Sequence, residues 1–288
     1  MKRTILITGA TGSTGKAAVR LLLDKGFSVR AFVHKDDERS RKLASDGAEV
    51  TVGDLLDFRA VQQALDGVHR AYFVYPIRPG LAQASVQFAQ AAREAGLEFI
   101  VNMSQKSARP EAKSNAALQH WLSEQVFNWA GTPVAHLRPT YFAEWLLYMR
   151  SMIREGRMSV PFGETGRHAP VAAEDQAAVI AAILADPTNH GGKVYPLFGP
   201  VEFTSPEIAA IIGQTLGKEV RYEKITATQW AREVTGQDTP FLAQHLDEVS
   251  IDHNDGVFAG TNDVIETIGG RSPMTVAQFV EKHRAVFE

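Results

Sequence analysis

Along the first half of the chain, short runs of β-branched and other apolar residues alternate with longer stretches whose apolar positions recur every three or four residues. The runs RTILIT, SVRAFV, AEVTVG, AYFVY, FIVNMS and VAHLRP read as strands, because side chains branched at Cβ suit a pleated, packed surface. Between them GKAAVRLLLDKG, RAVQQALDG, LAQASVQFAQAAREAG and LQHWLSEQVFNWAG carry the helical period. A strand–helix alternation of this kind predicts an α/β fold, a doubly wound parallel sheet covered by helices on both faces, with ligands bound beyond the carboxyl ends of the strands.

After Pro139 the rhythm changes. Helical stretches such as EDQAAVIAAILAD, SPEIAAIIGQTLG and TVAQFVEKHRAVFE are joined by glycine- and proline-containing loops, notably VPFGETGRHAP and FGPVEF. The expected division is a Rossmann-type domain over residues 1–138 and a smaller, mainly C-terminal substrate-binding lobe over residues 139–288. No clean linker separates them, and some later strands and helices are expected to return to the sheet.

The first strand runs into TGATGSTG, in which Gly9, Gly12 and Gly15 are spaced G-x-x-G-x-x-G ahead of a helix. Glycines there permit a tight turn, close approach of a pyrophosphate and close helix-on-strand packing, while the helix N-terminus offers free N–H groups. The loop, with Thr11, Ser13 and Thr14 in it, is expected to bind a dinucleotide. A tight turn without a ligand is the plainer reading of three glycines, and their place on the first strand of a βαβ series argues against it.

Charge and composition narrow the remaining possibilities. The 288 residues carry 30 basic and 33 acidic side chains, a net charge of -3, with no block of like charge that could track a phosphate backbone, so no direct nucleic-acid contact is expected. The absence of cysteine removes disulfides, thiolate catalysis and cysteine-held zinc. Near the N-terminus the apolar run Ile5–Leu6–Ile7 is too short for a signal segment, and no other run could span a bilayer, so the expectation is a soluble cytoplasmic chain without membrane association.

The glycine loop, together with four further segments, resembles the NmrA-like, or atypical, branch of the short-chain dehydrogenase/reductase superfamily. Those segments are VGDLLD, YFVYP, LRPTYFAEWL and SPEIAAIIGQTLGKEV, and the resemblance covers nearly the whole chain. It implies that Asp54 and Leu55 lie by the adenine, and that Val74, Tyr75 and Pro76 border the cofactor. Met103 and Ser104 in VNMSQ and Pro139 with its neighbours would border the nicotinamide. LRPTYFAEWL is similar to the branch's LRPxxFxEN signature, with Trp145 where asparagine is common. By length and by His120 the chain is most similar to the bacterial quinone and triphenylmethane-dye reductases of that branch.

The end of the second strand selects the cofactor. An enzyme for NAD usually holds the ribose hydroxyls there with an acidic side chain, whereas this chain has His34 and Lys35, with Arg39 one turn on. These favour NADPH over NADH. Asp36 and Asp37 follow at once, and a solvated helix start is the plainer reading of Lys35 and Arg39.

Ketone-reducing relatives use a Tyr-x-x-x-Lys pair to protonate the developing alkoxide, and no tyrosine here is followed by lysine at that spacing. Matching the glutamate that follows the family's lysine to Glu124 puts His120 at the lysine position and Ala116 at the tyrosine position. Ser104 takes the place of the family serine. A quinone or cationic dye spreads or cancels the charge that hydride brings and can take its proton from water. The expected activity is therefore NADPH-dependent reduction of a quinone-like or other conjugated aromatic acceptor, with His120, Ser104 and Tyr141 as candidate catalytic residues. His120 reads either as a proton relay or as a hydrogen-bonding group that orients the cofactor. The alternative is a non-catalytic NADP(H) sensor bound to a regulatory protein; a homodimer is compatible with either.

Tyr141, Trp145 and Tyr148 recur at helical spacing and read either as an aromatic substrate platform or as packing between lobes. His245, Asp247, Glu248, Asp252 and His253 read as a solvated helix face rather than a metal site, and no metal is expected. DHNDG lacks the spacing of a calcium loop. NMS matches a glycosylation acceptor but ends a strand expected to be buried.

Overall fold

A computed structural model describes residues 3–288. Its first half runs β1 (Thr4–Thr8), α1 (Ser13–Asp24), β2 (Ser28–Val33), α2 (Glu38–Ser45), β3 (Glu49–Val52), α3 (Phe58–Leu65), β4 (Arg70–Phe73), α4 (Leu81–Glu94), β5 (Phe99–Met103), α5 (Asn115–Trp129) and β6 (Val134–Pro139). All six expected strands form. Helix α2, which the apolar pattern does not mark because Leu43 is its single large apolar residue, is set by its cap. Asp37 accepts from the N–H groups of Arg39 and Ser40, and the Ser40 hydroxyl accepts from Asp37 N–H, a reciprocal arrangement that satisfies donors left open at a helix start.

The strands lie in the order β3-β2-β1-β4-β5-β6, followed by Val194–Leu197, every neighbouring pair parallel. The chain reverses direction across the sheet between β1 and β4, the switch point where an open α/β sheet leaves a crevice at its carboxyl edge. Alternate residues of β1 serve opposite faces. Ile5 and Ile7 join the core under α1, α2 and the helix Ala173–Ala185, while Leu6 joins the core under α3, α4 and α5. In the second core Phe73, Phe88 and Phe127 meet with ring centroids 5.0–6.3 Å apart, in tilted and edge-on contacts that add to burial.

The helix Ala173–Ala185 and strand Val194–Leu197 thus come from the later half of the chain to the sheet. A third core gathers Tyr141, Leu146, Ile153, Phe162, Ile212, Trp230, Leu246, Phe279 and Phe287. Short pairings organise it: Arg157–Val160 runs parallel with Arg221–Lys224, and the segments read as loops contribute Arg167–His168, which pairs with Phe203–Thr204. Among the described residues no helix is long and apolar enough to cross a membrane.

The polar run on the helix Pro240–Asn254 corrects an expectation. His245, Asp252 and His253 are buried, and only part of the run, Asp247 included, faces solvent. His245 Nδ1 lies 2.7 Å from Ser114 Oγ, Arg109 grips Asp252 at 2.6 and 2.9 Å, and His253 Nε2 lies 3.0 Å from His168 Nδ1. The run is an inward polar seam that ties the helix to α5 and to the third core, and among the described residues no group of three side chains could hold a metal ion. Asn102, in the glycosylation-like NMS, is fully buried against His136.

Candidate functional site

The turn after β1 is built by its glycines, each for a different reason. Gly9 adopts φ +56°, the left-handed region open to glycine, and a Cβ there would stand 2.7 Å from Val74 Cγ1. A Cβ on Gly15 would fall 2.3 Å from the Gly9 carbonyl oxygen, so Gly15 lets α1 close onto the strand. Gly12 is different: its backbone is ordinary and extended, φ -78° and ψ 171°, and a Cβ would meet only the Gly9 oxygen, at 3.1 Å. It caps α1 without any side-chain hydrogen bond, leaving the first-turn N–H groups open for an anion. Around the turn, Thr8 Oγ1 accepts from Val74 N–H at 2.8 Å and Thr14 Oγ1 lies 3.1 Å from the Tyr72 hydroxyl, so β1, α1 and β4 form one fixed rim.

That rim opens into a cavity of about 540 Å3. On the sheet side it is lined by Ser13, Thr14, Val74, Tyr75, Pro76, Met103, Ser104, His120 and Pro139, all named by the sequence. Gln105, Phe142 and Glu144 join them. The facing wall comes from Trp145, Tyr148, Trp230, Leu242, His245, Val249 and Phe258. Tyr141 lines it as well, outside the short helix Trp145–Tyr148 that the aromatic spacing suggested. The Tyr141 hydroxyl donates to the Val249 carbonyl at 3.4 Å, and burial raises its pKa well above the ordinary tyrosine value; it holds its proton at any working pH.

Four of the eleven buried side-chain polar atoms left without a partner among the described residues belong to residues that line this cavity: Ser104 Oγ, Gln105 Nε2, His120 Nδ1 and Trp230 Nε1. Such atoms are uncommon in a folded protein and mark places where a ligand or water completes the bonding. They supply the donors and acceptors that a nicotinamide ribose and its amide require, so the residues present fit a dinucleotide. The register that set His120 beside Glu124 also has a structural basis, because Glu124 is buried and receives Arg138 through two bonds of 2.8 and 2.5 Å, which fixes α5 against β6.

Electrostatics divide the titratable lining. Burial pushes the His120 imidazole down to about 3 and His245 to about 4, so both are neutral near pH 7. Burial raises the Glu144 carboxyl to about 7, against the opposing pull of the Ala173 N–H, which meets both of its oxygens at 3.0 Å.

The second cluster named by the sequence lies at the ends of β2 and β3, apart from the cavity. His34 Nδ1 is 3.7 Å from Asp54 Oδ2, and Asp54 Oδ1 accepts from Leu56 N–H beside Leu55. Lys35 is exposed and forms no ion pair among the described residues. Arg39 turns to Asp37 at 2.6 Å, so the structure pairs it with the cap of α2 rather than with His34 and Lys35.

A glycine turn heading a doubly wound sheet and opening into a cavity of unsatisfied polar groups defines a Rossmann-type protein of the dinucleotide-binding class. The profile of the NmrA-like family matches residues 1–268, and the chain belongs to that family. It is 32% identical to an NAD(P)H azoreductase of Xenophilus azovorans over 98% of this chain and 99% of the relative. Among solved structures, an NADPH-dependent quinone oxidoreductase of Escherichia coli complexed with NADPH superposes with a TM-score of 0.84 at 25% identity, covering 97% of this chain and 99% of that one. A triphenylmethane reductase of Citrobacter complexed with NADP(H) has the same fold, with a TM-score of 0.82 at 23% identity over 96% of this chain and 99% of that one.

Proposed function

We propose that the protein is an NADPH-dependent reductase of quinone-like, conjugated aromatic acceptors. One observation carries this reading: a single cavity joins the glycine turn, the unpartnered Ser104 Oγ and His120 Nδ1, and an aromatic wall suited to a flat substrate. The azoreductase and quinone oxidoreductase relatives support an oxidoreductase. Bound in the cavity, NADPH supplies a hydride, and a quinone that takes it up with one proton becomes the hydroquinone. Gly9, Thr11, Gly12, Ser13, Thr14 and Gly15 would hold the pyrophosphate, with Asp54 and Leu55 by the adenine. Val74, Tyr75, Pro76, Met103, Ser104, His120 and Pro139 would hold the nicotinamide half. Steady-state loss of NADPH absorbance with a panel of quinones and dyes tests the reading. Turnover supports it, whereas tight NADPH binding with no turnover on any acceptor would make the chain a cofactor sensor.

His120 is assigned an orienting role. A buried imidazole held near pKa 3 has no proton to lend at neutral pH, and an acceptor that delocalises charge asks for little acid catalysis. His120→Ala is expected to weaken NADPH binding about tenfold, the value of one lost hydrogen bond, and to leave the shape of the pH–rate profile unchanged. Loss of an ionisation from that profile with unaltered NADPH affinity would instead make His120 the proton donor.

Selection of NADPH rests on His34 and Lys35, both exposed beyond β2, where a 2′-phosphate needs positive partners. A charge-assisted bond contributes roughly 1.5–3 kcal/mol. Lys35→Asp is accordingly expected to lower the ratio of NADPH to NADH affinity by about tenfold or more, measured by equilibrium titration with each cofactor; an unchanged ratio would move the phosphate contact elsewhere.

A further inference from the structure

Trp230 stands on the wall opposite the sheet, in the helix Ala227–Thr235. It is 2% exposed, and its indole Nε1 has no hydrogen-bond partner. The ring stacks on Trp145, with centroids 5.0 Å apart and planes 27° from parallel, and both indoles line the cavity. A buried indole N–H usually finds an acceptor, and leaving it unpaired costs about 1–3 kcal/mol. The same wall carries polar side chains, among them Glu144, Tyr148, Thr235 and His245, yet none of them bonds the Trp230 N–H. The N–H is thus left for an acceptor oxygen on a molecule that enters the cavity.

We propose that Trp230 determines acceptor specificity, its N–H donating to a ring carbonyl oxygen of a planar quinone of two or more fused rings. The ring number follows from the cavity, whose volume of about 540 Å3 between the sheet and a wall that includes Tyr141, Trp145, Trp230 and Phe258 exceeds what one six-membered ring fills beside the nicotinamide. The quinone is also uncharged, because the lining contains no lysine or arginine among the described residues and a sulfonated acceptor would have to shed water there without a counter-ion. This assignment rests on the reductase reading and deepens it.

The test compares 2-methyl-1,4-naphthoquinone with 2-methylnaphthalene, which has the same rings and no carbonyl, on the protein loaded with NADP+. Trp230→Phe keeps an aromatic ring and removes the N–H. The variant is expected to bind the naphthoquinone about tenfold more weakly and to show the same rise in KM, with kcat within about twofold of wild type. Binding of the naphthalene should be equal in the two proteins. In wild type labelled with nitrogen-15 tryptophan, the Trp230 indole proton should move downfield on adding the quinone, and the naphthalene, whose ring current alone acts on it, should give no comparable downfield shift; this readout holds even if the variant does not fold. An unmoved resonance, equal quinone affinity in wild type and variant, or an equal loss for the hydrocarbon would overturn the assignment. Wild-type naphthoquinone binding that depends on the N–H but is accompanied by no NADPH oxidation would uphold the contact and refute the reductase reading.

Discussion

Gly12→Val is expected to raise the dissociation constant for NADPH by about 100-fold or more, roughly 2.7 kcal/mol, while the protein still unfolds in one cooperative transition. The geometry separates the two effects. Valine can adopt φ -78° and ψ 171°, and its Cβ would press only on the Gly9 oxygen at 3.1 Å, a contact that a shift of a few tenths of an ångström relieves. Its branched methyl groups, however, would stand before the open N–H groups of the first turn of α1, where a pyrophosphate must come close to backbone. Gly15→Ala should show the reverse balance, because its Cβ would strike backbone at 2.3 Å and damage the fold itself. Titration of NADPH against each variant, with a thermal scan of each, checks both; unchanged affinity in Gly12→Val would remove the glycine turn from the cofactor site.

Stability should fall steeply as the solution is acidified from pH 7.5 to 5. Burial pushes His120 down to about 3 and His136 and His245 to about 4, from an ordinary value of 6.5. In this window the unfolded chain binds protons that the folded one refuses, so stability present above pH 6.5 is lost on the way down to the folded pKa values. Each group forfeits about 2 kcal/mol by pH 5, and the His168–His253 pair, also depressed by burial, adds to the loss. Glu144 acts in the opposite sense: raised to about 7, it takes up its proton more readily when folded and returns about 2 kcal/mol over the same interval. Asp175, raised by burial, works in that direction too. The net expectation is a loss of about 3 kcal/mol or more, a large share of the 5–15 kcal/mol that holds a typical domain. Denaturant unfolding at the two pH values measures it, and equal stability at both would contradict the burial of these imidazoles in neutral form.

The sheet was legible because its information is local. Each strand from β1 to β6 is a short apolar run bounded by turn residues, and the glycine triplet sits where a strand meets a helix. From those signals Ser104, His120 and Pro139 could be set at strand ends and on α5, and all three line the cavity. What stayed hidden depends on distant partners. Nothing near His245 or His253 in the chain says that Ser114 and His168 will cover them, so a buried polar seam looked like a wet helix face. Trp230 and Phe258 reach the cavity only through the packing of the third core, and no motif marks them. Glu144 carried a partial signal, being the glutamate of LRPTYFAEWL; its capping of Ala173 and its raised pKa arise from contacts made after folding. At Arg39 the chain showed only a basic side chain one turn past Lys35; the exposed ion pair it makes with the cap residue Asp37, two positions away, is set by the cap geometry of α2.

On the proposed reading, hydride leaves NADPH for a conjugated acceptor within the cavity between the glycine turn and Trp230. A single-turnover experiment without oxygen tests it most directly: protein carrying one equivalent of NADPH is mixed with excess 2-methyl-1,4-naphthoquinone, and the nicotinamide absorbance is followed alongside the hydroquinone. The expected result is loss of the full NADPH signal, one hydroquinone formed per NADPH consumed, and in Gly12→Val at the same concentrations a rate above the protein-free one that falls in proportion to its smaller fraction of bound NADPH. Bound NADPH whose absorbance persists at the protein-free rate with this quinone, and with every other quinone and dye tried, would contradict it.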